Sequence, residues 1–241
     1  MSTSEPKLGE GGAGAASGPR VVVIIAAHNE ADRIAATVNA VARIPEVTRT
    51  VVVDDGSEDD TAFLAKAMGA EVVRLPENRG KGAALQAGLE QADGDIVVLL
   101  DADLGGTAIH AGKLLNAILA DEADLAIARF PEAKKPSGFG LAQGLARMGI
   151  GWLCGVRPRW PMSGQRAMRR EVVDAILPLA PGFGVEPAMT IDAIRAGFRV
   201  VEVACPFEHR RTGRNWAGFR HRGRQFFDVL RAIWSRWRRR R

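Results

Sequence analysis

An open α/β sheet, mostly parallel and with helices on both faces, is the fold class predicted for this chain of 241 residues. Three observations predict it. Short, continuous runs of β-branched and apolar residues recur along the first half, as expected of parallel strands buried on both faces. Helix-like segments separate these runs, and regular strand–helix alternation implies right-handed crossovers in a doubly wound sheet. The composition, 46% hydrophobic and 25% charged, is that of an ordinary globular domain with one large core.

Residues 1–19 are rich in Gly, Ser and Ala without periodicity and read as a disordered leader. Order is expected from Val21, where VVVIIA forms the first strand. TVVVD (50–54), EVVRL (71–75), DIVVLLD (95–101) and ADLAIA (123–128) read as further strands. Helices are expected at 30–43, 59–68, 81–92 and 107–120. Past residue 130 the alternation breaks down. PEAKKPSGFG (131–140) reads as a loop, followed by a helix at 141–155, a Pro/Trp turn and a short helix from Arg170. A loop at 178–184, a helix at 185–196, a strand at 199–204 and a last element at 218–238 complete the chain.

Charge is unevenly spread. The net charge is +5, but residues 206–241 hold twelve Arg against Glu208 and Asp228, so that residues 1–205 carry −5. A mildly acidic body excludes a nucleic-acid surface there. Two cysteines, Cys154 and Cys205, cannot make a disulfide framework or a four-thiolate zinc site. They point to a reducing, cytoplasmic setting. No secretory signal or spanning apolar run is present in the sequence.

Ligands of such sheets bind beyond the carboxyl ends of the strands, and polar residues gather there. The first strand ends in AAHNEADRI, with Asn29 and Glu30 at the strand–helix junction. Asn29 either meets a ligand or caps the next helix. The second ends in VVVDDGSEDDT. Asp54 and Asp55 either accept hydrogen bonds from a base or ribose, or close an Asx-type turn. After the third strand, Gly80 and Gly82 flank Lys81 at a helix N-terminus, where backbone amides and an ammonium favour an anion. A solvated Lys81 is the plainer alternative. The fourth strand ends in VVLLDADLGG. Spacing of i, i+2 at a strand end points Asp101 and Asp103 the same way, and the mutual repulsion of two such carboxylates calls for a cation. A hard divalent ion completed by phosphate oxygens suits them.

Together these motifs resemble the family 2 glycosyltransferases of the GT-A fold over roughly residues 20–210. The resemblance implies a nucleotide diphosphate sugar, UDP- or GDP-linked, as donor, with Mg²⁺ or Mn²⁺. It implies a donor-binding set of Ala27, Asn29, Glu30, Asp54, Asp55, Lys81, Asp101 and Ala102, with Asp101 facing ribose and sugar and Asp103 on the metal. GFGVEPAMTID (182–192) and CPFEHRRTGR (205–214) are similar to the acceptor-side helix and His-containing loop of glucosyl-3-phosphoglycerate synthases. That likeness implies Glu186 beside the reacting sugar, catalytic with Asp101, and His209 as a metal ligand. The plainer alternatives are a first-turn helix acid and a surface His. Phe207 replaces the Arg that those synthases carry two residues before the His, leaving Arg210, Arg211 or Arg214 to take its place. SGQRAMRRE (163–171) instead resembles the polyprenyl-phosphate members, with Gln165 and Arg166 facing the acceptor or, alternatively, forming a buried strand.

In the tail, Phe226, Phe227, Val229, Leu230, Ile233, Trp234 and Trp237 fall on one side of a helical wheel, with Arg224, Asp228, Arg231, Ser235, Arg236 and Arg238 on the other. Such a stripe packs on the core or meets an anionic bilayer; a partly core-packed helix with a membrane-facing Arg/Trp end is expected. The expected organisation is a leader (1–19), a catalytic domain (20–215) and a basic amphipathic helix (216–241). The expected activity is sugar transfer to a phosphate-bearing or lipid-linked acceptor such as polyprenyl phosphate, at the inner membrane face and without nucleic acid; a homodimer is allowed. A soluble-acceptor transferase like the phosphoglycerate synthases is the alternative. A nucleotidyltransferase would carry a GxGxR-type loop where this chain has AAHNEADR. A membrane- or RNA-binding protein on a degenerate nucleotide fold would make the strand-end acids dispensable.

Overall fold

The structure is a computed structural model and describes residues 18–130, 140–208 and 216–238, the side chains of 216–222 and 224 apart. Most of the expected leader and of the 131–140 loop lies outside the described residues, as do His209, Arg210, Arg211 and Arg214. A seven-stranded sheet forms the centre. Its strands are β1 (Val21–Ala27), β2 (Val47–Asp54), β3 (Glu71–Arg74), β4 (Ile96–Asp101), β5 (Leu125–Arg129), β6 (Arg166–Arg169) and β7 (Val200–Ala204), in the order β3-β2-β1-β4-β6-β5-β7. Pairing is parallel throughout β3-β2-β1-β4 and again in β5-β7; β6 runs antiparallel to both of its neighbours.

The sheet forms because its strands bury both faces. Val21 to Ile25 are at most 1% exposed, and each such side chain contributes about 1.5–3 kcal/mol relative to exposure. Two cores result. One lies under α1 (Ala31–Ala42) and α4 (Ala111–Leu119); the other lies under α3 (Lys81–Gln91), α6 (Arg170–Ile176) and α7 (Val185–Arg195). The short helix α2 (Thr61–Ala67) joins β2 to β3.

Two elements depart from the sequence expectation. The fourth strand stops at Asp101, and Ala102–His110 is a 3₁₀ segment with a left-handed break at Gly105 (φ 54°). Asp103 therefore sits in a helical turn, so the i, i+2 strand argument for aligning it with Asp101 does not apply. β6 was expected only as the alternative reading of the 163–171 segment. It enters antiparallel between β4 and β5, pairing Leu99 with Arg166. That orientation brings the residues before it, Gly164 and Gln165, to the carboxyl end of β4.

The last helix, α8 (Trp216–Arg238), packs on α5 (Gly140–Cys154) and α7. Val229, Ala232 and Ile233 are buried, whereas Phe227, Leu230 and Trp234 are exposed, so the expected stripe divides between core and surface. Arg236 departs from the wheel. It is 4% exposed and donates to both oxygens of Asp192 on α7, at 2.7 Å from Nη2 to Oδ2. Ion pairing makes the burial of that guanidinium tolerable.

Candidate active site

Each strand-end acid has a definite position. Asp54 and Asp55 are buried. Asp54 Oδ1 accepts the Ser57 amide at 3.0 Å, and Oδ2 lies 3.3 Å from Arg74 Nε, a geometry that closes the turn. Asp55 accepts the amides of Arg79 and Gly80, each at 2.8 Å. Its carboxylate thereby fixes the loop that starts α3 and presents Lys81. Asn29 is left-handed (φ 54°) and does not cap α1. Its amide donates to Ser57 Oγ and its Oδ1 accepts the Glu58 amide, both at 2.9 Å, tying the first strand-end loop to the second. The Glu30 amide donates to Thr61 Oγ1 at 2.8 Å. A cleft lined by His28, Ser57, Arg74, Leu75 and Asn78 opens beside these loops, over the ends of β2 and β3.

Lys81 is at the centre. Its Nζ stands 2.6 Å from Asp101 Oδ1 and 2.8 Å from Glu186 Oε1. Gln165 Nε2 donates to Asp101 Oδ2 at 2.6 Å. The repulsion expected at Asp101 is thus met by a lysine ammonium, and Lys81, 24% exposed on its side chain, is ion-paired rather than freely solvated. Burial alone would push that ammonium down, but the charges of Asp101 and Glu186 outweigh it and hold it well above the ordinary lysine range. Glu186 is 3% exposed, and its Oε2 has no hydrogen-bond partner among the described residues. Gly164 packs directly on this pair: a Cβ there would lie 2.4 Å from Lys81 Nζ and 2.9 Å from Asp101 Oδ1, so a side chain at 164 would displace one or both groups.

Two supporting residues, Thr37 and Asp228, escaped the sequence reading, and a third, Arg166, takes the buried-strand alternative. Thr37 on α1 donates to the Ala102 carbonyl at 2.7 Å and accepts the Gly105 amide at 2.8 Å, clamping the turn that holds Asp103. Asp228 on α8 accepts the Phe183 amide at 3.0 Å, holding the Gly182–Gly184 turn just before Glu186. Arg166 does not face an acceptor. It is fully buried and donates to the Ser163 carbonyl at 2.9 Å and Thr190 Oγ1 at 3.0 Å. Burial lowers its guanidinium to about 10, against the pull of Glu186 and Glu202, so it remains a cation behind Glu186 at neutral pH. Patterning gives no sign of Thr37 or Asp228, since each acts on a segment distant in sequence.

A carboxylate such as that of Asp103 is the kind of oxygen ligand a hard divalent cation takes, one or two of them with phosphate oxygens and water completing the shell. Among the described residues no three Asp, Glu, His or Cys side chains converge into a group that could hold a metal ion. His209 lies outside the described residues. The chain leading to it is fixed next to the Asp103 segment, where the Glu208 amide donates to Thr107 Oγ1 at 3.1 Å. Phe207 is buried against the rings of His110 and Phe130, so the replacement of the synthase Arg serves the core.

Residues 22–177 match the model of glycosyl transferase family 2. The chain belongs to that family. It is 31% identical over 203 residues to glucosyl-3-phosphoglycerate synthase of Mycobacterium tuberculosis, an alignment covering 74% of this chain and 62% of that protein; it thus spans under two thirds of the synthase's length. An uncharacterized glycosyltransferase of Mycobacterium bovis is 33% identical over 209 residues, covering 83% of this chain and 90% of that one. The M. tuberculosis synthase solved with Mn²⁺, UDP and glucosyl-3-phosphoglycerate superposes with a TM-score of 0.76 at 29% identity, covering 91% of this chain and 80% of the other. The same synthase has been solved with Mn²⁺, UDP-glucose and phosphoglyceric acid. These likenesses bear out the GT-A fold expected from the strand-end motifs.

Proposed function

We propose that this chain is a divalent-cation-dependent glycosyltransferase that moves a sugar from a UDP-sugar to a phosphate-bearing acceptor. The observation that carries the reading is the cluster of Lys81, Asp101, Glu186 and Gln165 at the carboxyl end of β4, in a family whose solved relative holds UDP-glucose and a phosphorylated acceptor. In this reading the nucleoside occupies the cleft by His28 and Arg74, against the loops ordered by Asn29, Glu30, Asp54 and Asp55, with the backbone at Ala27 and Ala102 alongside. Asp103 and His209 hold the cation. When bound, it neutralises charge on the departing diphosphate as a Lewis acid.

The protein's own groups do the rest. Asp101, fixed by Lys81 and Gln165, orients the ribose and sugar hydroxyls. Lys81 adds a preorganised positive charge close to the transferring group. Glu186 faces the acceptor, and its unpartnered Oε2 suits it to accept a hydroxyl proton as transfer proceeds. Calorimetry of UDP binding with Mn²⁺ or with chelator tests the reading. The wild type binds far more tightly with the cation, and Asp103→Ala removes that difference. Equal affinity with and without Mn²⁺ in the wild type refutes it.

A further inference from the structure

Among the described residues no helix is long and apolar enough to cross a membrane. Yet six of the eleven large apolar side chains exposed among them lie on two adjacent helices. Leu141, Met148 and Trp152 follow i, i+7, i+11 on α5; Phe227, Leu230 and Trp234 follow i, i+3, i+7 on α8. Each set forms one helical stripe. The helices cross so closely that a Cβ on Gly149 would lie 2.3 Å from the Ile233 side chain. The stripes meet where the rings of Trp152 and Trp237 approach to 6.0 Å. Apolar side chains concentrated in this way mark an interaction surface.

Charge selects the partner. α5 contains no acid, and the only acid of α8, Asp228, is turned inward to the Phe183 amide. Among the described side chains of the two helices the exposed charges are Arg147, Arg231 and Arg238, and Arg238 lies 4.4 Å over the Trp234 ring. Three more Arg follow in the sequence. A second copy docked by a twofold axis would set these cations against their own images with no acid to answer them. Apolar side chains, indole rings and arginines without acids match the interface of an anionic bilayer.

We propose that the joint face of α5 and α8 docks reversibly on an anionic lipid surface. This goes beyond the transferase reading and stands without it, because binding is measured with no donor or acceptor present. Asp228 gives the face a link to the site, since the same helix holds the turn before Glu186.

The test is co-sedimentation of the full chain with phosphatidylcholine vesicles, with and without phosphatidylglycerol. The protein is expected to sediment with the anionic vesicles at low salt, to be released as salt rises, and to ignore phosphatidylcholine alone. Arg231→Gln with Arg238→Gln lowers partitioning about 25-fold, or about fivefold per arginine. Trp152→Ser with Trp234→Ser lowers it more than about tenfold while circular dichroism and melting stay those of the wild type, because both rings are exposed. If that pair disturbs the fold, Met148→Ser with Leu230→Ser gives the same reading. A full chain that stays in solution beside anionic vesicles at low salt overturns the proposal. So does a dimer in sedimentation velocity that the Trp152/Trp234 variant splits, which would make the face a contact between copies of this chain.

Discussion

Replacing Lys81 by Met removes the ammonium held between Asp101 and Glu186. Asp101 is about a quarter exposed on its side chain (26%), so water and Gln165 compensate it after the loss. Glu186 has no such recourse. Its side chain is 4% exposed and loses the 2.8 Å contact to Lys81 Nζ, leaving Arg166 behind it as the neighbouring cation. Breaking a buried pair from one side costs about 3–5 kcal/mol. The lower end, about 3 kcal/mol, applies here because Lys81 itself is partly hydrated. With an m-value of about 3 kcal/mol/M, the urea midpoint falls by about 1 M. Adding Glu186→Gln removes the orphaned charge, so the double variant recovers most of the loss, and the cycle shows a coupling well above the roughly 0.5 kcal/mol of independent sites. The assay is urea unfolding followed by tryptophan fluorescence. A Lys81→Met midpoint equal to the wild type's, or a double variant less stable than the single one, refutes the electrostatic account of this cluster.

Asp228→Ala removes the acceptor of the Phe183 amide. Turnover is expected to fall at least about tenfold, as the loss of about 1.4 kcal/mol of positioning would produce, while UDP affinity in calorimetry stays normal; unchanged turnover detaches α8 from the site. Asp124 is held down from 3.8 to about 2, chiefly by its hydrogen bond from Arg199. A depressed carboxylate stabilises the fold above its unfolded value and loses that contribution as the pH falls through its folded one. Asp124→Asn therefore costs about 2 kcal/mol at neutral pH, and the difference from wild type shrinks as the pH is lowered from about 4 toward about 2; urea midpoints across that range show whether it does.

Legibility followed locality. β1, β2 and β4 are runs of apolar residues whose burial needs no partner to be named, and their ends match the sequence reading to within about three residues, within the usual reach of boundary assignment. Lys81, Asp101 and Glu186 were visible as polar residues at strand ends and a helix start. Their convergence was not, because it depends on β6. That strand reads RAMR, with a charge at each end and only four residues, and nothing local reveals that it enters antiparallel beside β4. Once it does, Gly164 and Gln165 fall against Asp101. The pairing argument for Asp101 and Asp103 failed for a related reason. Gly105 breaks the backbone and Thr37, from another helix, holds the turn, so strand geometry stops one residue too early. The tail stripe was legible as a stripe, but a wheel carries no neighbour. Asp192 captures Arg236 and Gly149 admits Ile233, and these two contacts decide which part of α8 faces inward.

We propose sugar transfer at the end of β4, assisted by a divalent cation. UDP release from UDP-glucose, measured with Mn²⁺ and phosphoglyceric acid and again with chelator, tests it most directly. Acceptor-stimulated release is expected, which the chelator abolishes and which Asp103→Ala and Glu186→Gln each reduce by at least about a hundredfold, the scale of a lost general base or charge-stabilising group. Release that proceeds equally in chelator, or that survives both substitutions at the wild-type rate, contradicts it.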